Sequence, residues 1–251
     1  MNSYIANEIT VIISLWKRNN YEAQLEHLME QTKKPYQIWI YQNESHIDVS
    51  IPEDIKKEYN ISVIQSKDLN FKFYGRFAVS LLCDTEYVAI FDDDTLPGNR
   101  WLESCINTSK KHNALVGTRG AILNTDLSNE LPTNQPYVKS VGCCDGIFLD
   151  EDMKVAFLGH CWFAKTSWIQ NLWRDLPYTW DNGEDIHLSA ACQIYEGIDS
   201  VVPRMPANDK SLWGDCSPQL GSDEHASWKR TNHNDTRYQV MRHWYNKGWK
   251  L

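Results

Sequence analysis

The 251-residue sequence predicts an α/β fold, with a mostly parallel central sheet and helices on both of its faces. Three observations carry this prediction. Short apolar segments alternate with segments of helical periodicity over the first 120 residues. Residues 88–91 form a continuous apolar run, which is typical of a strand buried on both faces. No repeat, low-complexity segment or Pro/Gly-rich linker interrupts the alternation.

The individual elements follow from the spacing of the apolar residues. Strands are predicted at residues 9–15, 37–42, 61–65, 87–91, 114–119, 155–164 and 198–202. Helices are predicted at residues 21–31, 53–59, 77–83, 101–112, 167–173, 184–195 and 237–246. A polar surface excursion is predicted at 123–137, and residues 203–234 are irregular enough to indicate a lid or binding loop.

Composition limits the possible function classes. An apolar share of 42% and a charged share of 23% are typical of an ordinary globular protein. The net charge of −8 argues against a surface that coats nucleic acid. No apolar run approaches the roughly 18 residues that a membrane span needs. The seven cysteines are odd in number and form no CxxC pair, and no secretory signal is visible, so we expect a reduced, cytoplasmic chain.

Three consecutive aspartates, Asp92, Asp93 and Asp94, end the apolar run 88–91. In an open α/β sheet the carboxyl ends of the strands form the edge at which ligands bind. Carboxylates crowded there repel one another unless a cation lies among them, and hard divalent cations take oxygen ligands and bridge phosphate oxygens. The alternative is an acidic turn in which one aspartate caps the helix beginning near Arg100. Three aspartates in succession favour a metal site for a phosphate-bearing substrate.

This strand end, Asp-Asp-Asp-Thr, resembles the DXD motif of GT-A glycosyltransferases. Residues 9–20 (ITVIISLWKRNN) are similar to the opening strand and turn of family 2 of these enzymes, whose turn encloses the nucleotide base. The resemblance implies that Trp16 and Arg18 bind the nucleotide. Residues 37–45 (QIWIYQNES) resemble the second strand of that family, which usually ends in an aspartate pair. Gln42 and Asn43 occupy those positions, and Gln42 can pair with a pyrimidine edge because an amide both donates and accepts.

The same resemblance assigns roles near the acidic cluster. Gly75-Arg76-Phe77 is similar to the Ala-Arg-Asn element of family 2, which implies that Arg76 lies beside the nucleotide or its diphosphate. A surface arginine at a helix start is the alternative. Asp92 is expected to contact the nucleotide sugar and to share the metal with Asp94, and Asp93 to do either. The implied cofactor is Mn²⁺ or Mg²⁺.

Gly183-Glu184-Asp185 opens the predicted helix 184–195 and resembles the Gly-Glu-Asp motif of family 2, whose last residue is the catalytic base. Asp185 is therefore expected to accept the proton of an acceptor hydroxyl. Acidic residues are also ordinary partners of a helix N-terminus, which is the alternative. His160, Trp162 and Glu184 are expected to bind the acceptor, although a core position is as plausible for Trp162. Whether His225, His233 or His243 adds a metal ligand is left open.

Taken together, the resemblance implies one GT-A domain over residues 1–251, with a nucleotide-binding half (1–120), an acceptor-binding half (121–202) and a C-terminal lid (203–251). It implies transfer of a sugar from a UDP- or GDP-linked donor to a glycan hydroxyl, with inversion. A retaining mechanism stays open, because the DDDT run also resembles exostosin-like family 64. A non-catalytic sugar-nucleotide or glycan-binding module is the other alternative. The haloacid-dehalogenase motif, Asp-x-Asp-x-Thr/Val, does not fit because Leu96 occupies its last position. A Walker B element is not supported either, because the sequence contains no GxxxxGK[ST] motif to accompany it.

Overall fold

The structure is a computed structural model that describes residues 8–123, 127, 138–142, 146–214 and 218–250. Most of the excursion predicted at 123–137 lies outside the described residues, as do Cys143, Cys144 and Cys216. The strands are β1 (Ile9–Leu15), β2 (Gln37–Gln42), β3 (Ile61–Gln65), β4 (Tyr87–Phe91), β5 (Leu115–Val116), β6 (Arg119–Leu123), β7 (Val138–Gly142), β8 (Met153–Val155), β9 (Phe157–Gly159), β10 (Cys161–Lys165) and β11 (Ser200–Val202).

Seven α-helices lie in the described part of the chain. They are α1 (Tyr21–Met29), α2 (Glu53–Glu58), α3 (Gly75–Ser80), α4 (Trp101–His112), α5 (Glu184–Glu196), α6 (Pro218–Gly221) and α7 (His233–Asn246). Shorter 3₁₀ helices are formed by Lys72–Tyr74, Thr166–Trp173, Lys210–Leu212 and Ser227–Lys229. No helix among the described residues is both long enough and apolar enough to cross a membrane.

The central sheet has the strand order β3-β2-β1-β4-β10-β5-β11-β8. Strands β1 to β4 run parallel to one another. β10 lies antiparallel between β4 and β5, and β8 is antiparallel at the far edge. A second, antiparallel sheet has the order β7-β6-β9. The predicted α/β class with a mostly parallel central sheet is confirmed.

Alternation along β4 explains why helices cover both faces of the sheet. Val88 and Ile90 face a cluster that includes Leu188 of α5, whereas Ala89 and Phe91 face a cluster that includes Leu25 of α1. Both faces of the strand are therefore buried, as its continuous apolar run predicted. A third cluster lies between the second sheet, α5 and α7.

Besides shifts of two or three residues at the ends of other elements, such as α3 (predicted 77–83, observed Gly75–Ser80), two predicted strands and two predicted helices differ from the structure. Residues 155–164 do not form one strand: the chain passes from β8 to β9 in the second sheet and then turns at His160, at φ 64°, into β10. Residues 114–119 are divided between β5 and β6, which belong to different sheets. Residues 166–173 form a 3₁₀ helix rather than an α-helix. α7 begins at His233, earlier than the predicted residue 237. The prediction missed the first turn because that turn is polar and the apolar periodicity of the helix starts only at Tyr238.

His187 is a buried titratable group near the N-terminal end of α5. It is 1% exposed and lies between the rings of Tyr74 and Trp244. Burial lowers the pKa of His187 to about 4; Lys247 and His243 act in the same direction, and Asp175 opposes them. The folded protein therefore holds this imidazole neutral under conditions in which the unfolded chain protonates it.

We expect acidification to destabilise the protein through His187. The unfolded chain binds this proton below about pH 6.5 and the folded protein only near pH 4. Between those values the unfolded state binds more protons, so stability falls as the pH falls. At pH 5 this one group accounts for about 2 kcal/mol relative to pH 7.5. The free energy of unfolding from urea titrations should fall less steeply in His187→Phe than in the wild type.

Other buried groups set the rest of the pH dependence. Burial lowers the pKa of His233 to about 4, which adds to the acid sensitivity, whereas burial raises the pKa of Asp93 and of Glu184 to about 7, which opposes it. If the free energy of unfolding changes by the same amount in the wild type and in His187→Phe between pH 7.5 and 5, His187 does not titrate as stated.

Candidate active site

The carboxyl ends of β1, β2 and β4 meet at one edge of the central sheet, because the three strands run parallel. β10 runs antiparallel to β4 and pairs Cys161 with Phe91, which brings His160 beside Asp92. The backbone amide of Asp92 donates to the carbonyl oxygen of His160 at 2.9 Å. The sheet topology therefore places the acidic strand end next to the turn that precedes β10.

A cavity of about 840 Å³ opens at this edge. Its volume lies in the range of small-molecule and cofactor sites. Ten of the eleven residues predicted for the site line it, namely Trp16, Arg18, Arg76, Asp92, Asp93, Asp94, His160, Trp162, Glu184 and Asp185. The acidic strand end and the turn before α5, which are far apart in the sequence, thus share one cleft.

Gln42 is the predicted residue that does not line the cavity. Its side chain is fully buried, where its Nε2 donates to the carbonyl oxygen of Ile47 and its Oε1 accepts from Gln65, both at 2.9 Å. The next residue, Asn43, lines the cavity instead. Its Nδ2 donates to Asn70 at 3.0 Å and its Oδ1 accepts from the amide of Phe71 at 2.8 Å. This placement does not support the predicted pairing of Gln42 with a base.

Asp92, Asp94 and His160 form a group of possible metal ligands. One ligand atom from each of the three lies within 4.8 Å of the other two. His160 Nδ1 is 3.5 Å from Asp94 Oδ1. The left-handed backbone of His160, uncommon outside glycine, turns this imidazole toward the carboxylates. Two carboxylates and an imidazole suit a divalent cation, so His160 could serve as a metal ligand besides the predicted acceptor contact.

Arg18 joins the acidic cluster to the C-terminal part of the chain. Its Nη1 donates to Asp93 at 2.5 Å and to Asp94 at 3.3 Å. Its Nε and Nη2 donate to the two oxygens of Asp223 at 2.7 and 3.0 Å. Gly221 lies against the cluster so closely that a Cβ there would come within 2.1 Å of Asp94 Oδ2. Residues 221–223 therefore cover the acidic cluster.

Trp16 is fixed on the same side of the cavity. Its backbone amide donates to Asp93 at 3.2 Å, and its indole nitrogen donates to Glu44 at 3.1 Å. Its ring meets that of His225 edge-on, with the centroids 5.7 Å apart. The turn after β1 is thus held between the acidic strand end and the C-terminal segment.

Burial dominates the electrostatics of the three aspartates. It raises the pKa of Asp92, against the opposing charge of Arg76. It also raises the pKa of Asp93 to about 7, against that of Arg18. Asp94 differs: although burial acts on it too, the neighbouring His160 and Arg18 hold its pKa below the usual range. The surroundings therefore favour the ionised form, which is the form that ligates metal, most strongly at Asp94.

Arg76 connects the two motifs. Its side chain is buried, with Nη1 at 2.9 Å from Asp92 and Nη2 donating to Glu184 at 2.7 Å. The guanidinium lies over the ring of Trp162, 4.7 Å from the centroid. Burial, together with the charge of Asp185, raises the pKa of Glu184 to about 7, although Arg76 acts in the opposite direction.

Trp162 does not present an open face for stacking on a sugar ring. Its side chain is 1% exposed and lies beneath Arg76. Trp228, which sequence analysis did not single out, lines the cavity and is 59% exposed. An aromatic surface accessible to a sugar is therefore offered by the C-terminal segment rather than by β10.

Asp185 lies in the first turn of α5, after Gly183 with φ 86°. Both of its carboxylate oxygens accept hydrogen bonds from Arg237 of α7, at 2.9 and 2.7 Å. The Nη1 of Arg237 also donates to Asn182 at 3.2 Å. The candidate base is thus held by a helix near the end of the chain.

Sequence reasoning missed Asn43, Asp223 and Arg237 as contributors to the site. Asn43 could have been found from the sequence, since Gln42 and Asn43 together occupy the positions of the usual aspartate pair. Asp223 and Arg237 could not, because they reach the site only through contacts between residues distant in the sequence.

Comparison with known proteins identifies the family of this chain. The sequence profile of glycosyl transferase family 2 matches residues 10–173. The match includes the acidic strand end and stops before Glu184 and Asp185. No curated protein matches the chain significantly.

Solved structures share the fold. The crystal structure of S. aureus TarS superimposes with a TM-score of 0.54 at 14% identity, over 79% of this chain and 37% of that one. The structure of S. aureus TarS 1–349 gives a TM-score of 0.53 at 13% identity, over 78% of this chain and 60% of that one. The chain therefore spans less than two thirds of the length of either structure, and the likeness supports the GT-A fold. Since the family profile covers more than half of its residues, the chain belongs to glycosyl transferase family 2.

Proposed function

We propose that the chain transfers a sugar from a UDP- or GDP-linked donor to a glycan hydroxyl, with a divalent cation at the diphosphate and with inversion of the anomeric carbon. The observation that carries the proposal is the bridge formed by Arg76. One guanidinium contacts Asp92 at the acidic strand end and Glu184 beside Asp185. A diphosphate held at the first carboxylate and a hydroxyl presented to Asp185 would therefore meet in one cavity.

The charge balance at the acidic strand end supports a cation. Ion pairs there join four carboxylates, those of Asp92, Asp93, Asp94 and Asp223, to two guanidinium groups, those of Arg18 and Arg76. Carboxylates therefore outnumber guanidiniums, and a diphosphate would add further negative charge. A divalent cation at Asp92, Asp94 and His160 offsets that charge and, when bound, stabilises the departing diphosphate. The imidazole favours Mn²⁺ over Mg²⁺, which prefers oxygen ligands.

The nucleotide side of the cavity is assigned to the turn after β1 and to the neighbouring strand ends. Trp16 and Arg18 lie there beside Asp93, and Asn43 takes the place first predicted for Gln42. Both the nitrogen and the oxygen of the Asn43 side-chain amide form hydrogen bonds within the protein. Asn43 therefore fixes the shape of this wall and also offers contacts to a base.

The acceptor side is assigned to the region around α5. Asp185 accepts the proton of the acceptor hydroxyl as its oxygen attacks the anomeric carbon. Glu184 lines the same wall beside Asp185, which keeps it as a candidate for the acceptor side. Trp228 supplies an exposed aromatic face for a sugar ring.

Metal-dependent nucleotide binding is the first test. UDP or GDP with Mn²⁺, at about 100 times the Kd, should raise the free energy of unfolding by about 2.7 kcal/mol, measured by thermal shift. Asp94→Asn should lose the part of the shift that depends on Mn²⁺, because it removes a ligand charge. Asp84→Asn, an exposed position outside the cavity, is the matched control. Equal nucleotide shifts with Mn²⁺ and with EDTA in the wild type would contradict the proposed metal.

Loss of turnover in Asp185→Asn is the second test. Nucleoside diphosphate release is measured with UDP-glucose, UDP-galactose, UDP-N-acetylglucosamine and GDP-mannose, with water or methyl glycosides as acceptors. Removing a general base should lower kcat by roughly 10² to 10⁴-fold while Mn²⁺-dependent nucleotide binding persists. Glu196→Gln, at the exposed end of the same helix, should keep full activity. Turnover unchanged in Asp185→Asn excludes this residue as the base, and a product of retained configuration by NMR excludes inversion.

Stability of Arg76 variants is the third test. Arg76→Met leaves the buried carboxylate of Glu184 and the partly buried carboxylate of Asp92 without their shared cation, and breaking a buried pair costs about 3–5 kcal/mol. Arg76→Lys keeps the positive charge but loses the two-pronged guanidinium, so its loss of stability should be smaller than that of Arg76→Met. Adding Glu184→Gln to Arg76→Met should recover part of the stability that Arg76→Met loses. Urea titrations that show Arg76→Met as stable as the wild type would contradict the bridge.

A further inference from the structure

α7 lies directly against the turn that carries Asp185. The apolar cluster between the two helices includes Ile186, Ala190 and Ala191 of α5 and Tyr238, Val240, Met241 and Trp244 of α7. A Cβ on Gly183 would come within 2.9 Å of Val240 Cγ2. The position of this turn is therefore set by a helix outside the residues that the family profile matches.

The polar side of α7 binds the same turn. Arg237 presents both terminal nitrogens to Asp185, with only 13% of the arginine side chain and 8% of the aspartate side chain exposed. One turn earlier, the Nδ1 of His233 accepts a hydrogen bond from Asn182 at 3.0 Å. The guanidinium of Arg237 is further confined by the ring of Phe157, 5.2 Å from its centroid. Such a planar, bidentate pair fixes the orientation of the carboxylate as well as its position.

The two oxygens of Asp185 are not equivalent. Oδ1 accepts from Arg237 Nη1 at 2.9 Å and from the backbone amide of Ile186 at 2.8 Å. Oδ2 accepts only from Arg237 Nη2, at 2.7 Å, among the described residues. A carboxylate oxygen has two lone-pair sites. Both sites of Oδ1 are therefore used, and one site of Oδ2 remains for a ligand in the cavity that Asp185 lines.

From this inequality we infer that Arg237 is a positioning residue that makes Oδ2 of Asp185 the atom that receives the acceptor proton. The inference rests on the proposed function and adds to it both the accepting atom and the residue that selects it. The acceptor O–H proton moves to Oδ2 as the acceptor oxygen bonds to the anomeric carbon. The bond from that carbon to the diphosphate oxygen breaks, and its electron pair leaves with the diphosphate.

Arg237→Ala tests this role through the separation of kcat from KM. Misplacing a catalytic group by about 1 Å costs on the order of 10²-fold, so kcat should fall by roughly that factor. The KM for the donor and the Mn²⁺-dependent nucleotide shift should change less than about threefold, because Arg237 does not lie at the acidic strand end. Arg237→Lys, which keeps one donor and the charge, should lose only about tenfold and serves where the alanine variant does not fold.

Chemical rescue separates positioning from a purely structural role. Guanidinium chloride at low millimolar concentration should restore kcat of Arg237→Ala about tenfold, because the ion can occupy the position of the missing fork. Arg242→Ala, on the same helix and without a contact to Asp185, is the control and should show neither the loss nor the rescue. Absence of rescue in a folded Arg237→Ala overturns the inference, as does a kcat within about threefold of the wild type in either Arg237 variant.

Failure of Asp185 as the base and failure of Arg237 as the positioning residue give different results. If Asp185→Asn retains turnover, the proposed base is wrong whatever Arg237 does. If Asp185→Asn is inactive while Arg237→Ala and Arg237→Lys are fully active, only the positioning role fails. A crystal structure of Arg237→Ala, or of Arg237→Lys if needed, gives a readout without turnover: the Asp185 carboxylate should rotate, and an unchanged carboxylate plane overturns the inference.

Discussion

The buried guanidinium of Arg76 is the interaction on which the site depends. A charged group in a covered position is costly unless its hydrogen-bonding groups meet opposite charges, and here Asp92 and Glu184 supply them. The same contact offsets a second cost, because the carboxylates of Asp92 and Glu184, which both line the cavity, would otherwise repel each other. Trp162 packs against the guanidinium and fixes the orientation of its plane. The bridge thus sets the distance between the two chemical ends of the cavity.

Two further arginines extend this arrangement to the C-terminal part of the chain. Arg18 holds residues 221–223 over the acidic cluster through Asp223, and Arg237 of α7 holds Asp185. Each of these arginines joins a carboxylate that lines the cavity to a segment from another part of the chain. The C-terminal segment is therefore a wall of the cavity as well as a cover, and it explains why a profile limited to residues 10–173 describes only part of the site.

Much of the fold could be predicted because short apolar segments mark its strands, of which β1 and β4 are buried on both faces. These segments gave β1, β2, β3 and β4 with their observed bounds, and the alternation with helices gave the parallel order. The insertion of β10 between β4 and β5 could not be predicted, since strand pairing across 70 residues leaves no local pattern. The kink at His160 was likewise hidden, because nothing in the residue type requires a positive φ.

The candidate site was predictable where its residues sit at strand ends or in a helix's first turn, as Asp92 and Asp185 do. Gln42 shows the limit of that reasoning. Successive residues of a strand point to opposite sides, so an error of one position exchanges a buried side chain for one that faces the cavity. Asn43 is on the cavity side, and the sequence around it contains no sign of which side that is.

The position of α7 has a consequence for how the enzyme is made. Synthesis proceeds from the N-terminus, so the sheet and the acidic strand end leave the ribosome well before residues 233–246. Until those residues arrive, the apolar side of α5 at Ile186 and Ala190 has no cover, and Asp185 has no arginine to face. A nascent chain can therefore form the parallel strands of its central sheet before the contacts between α7 and the turn that carries Asp185 exist.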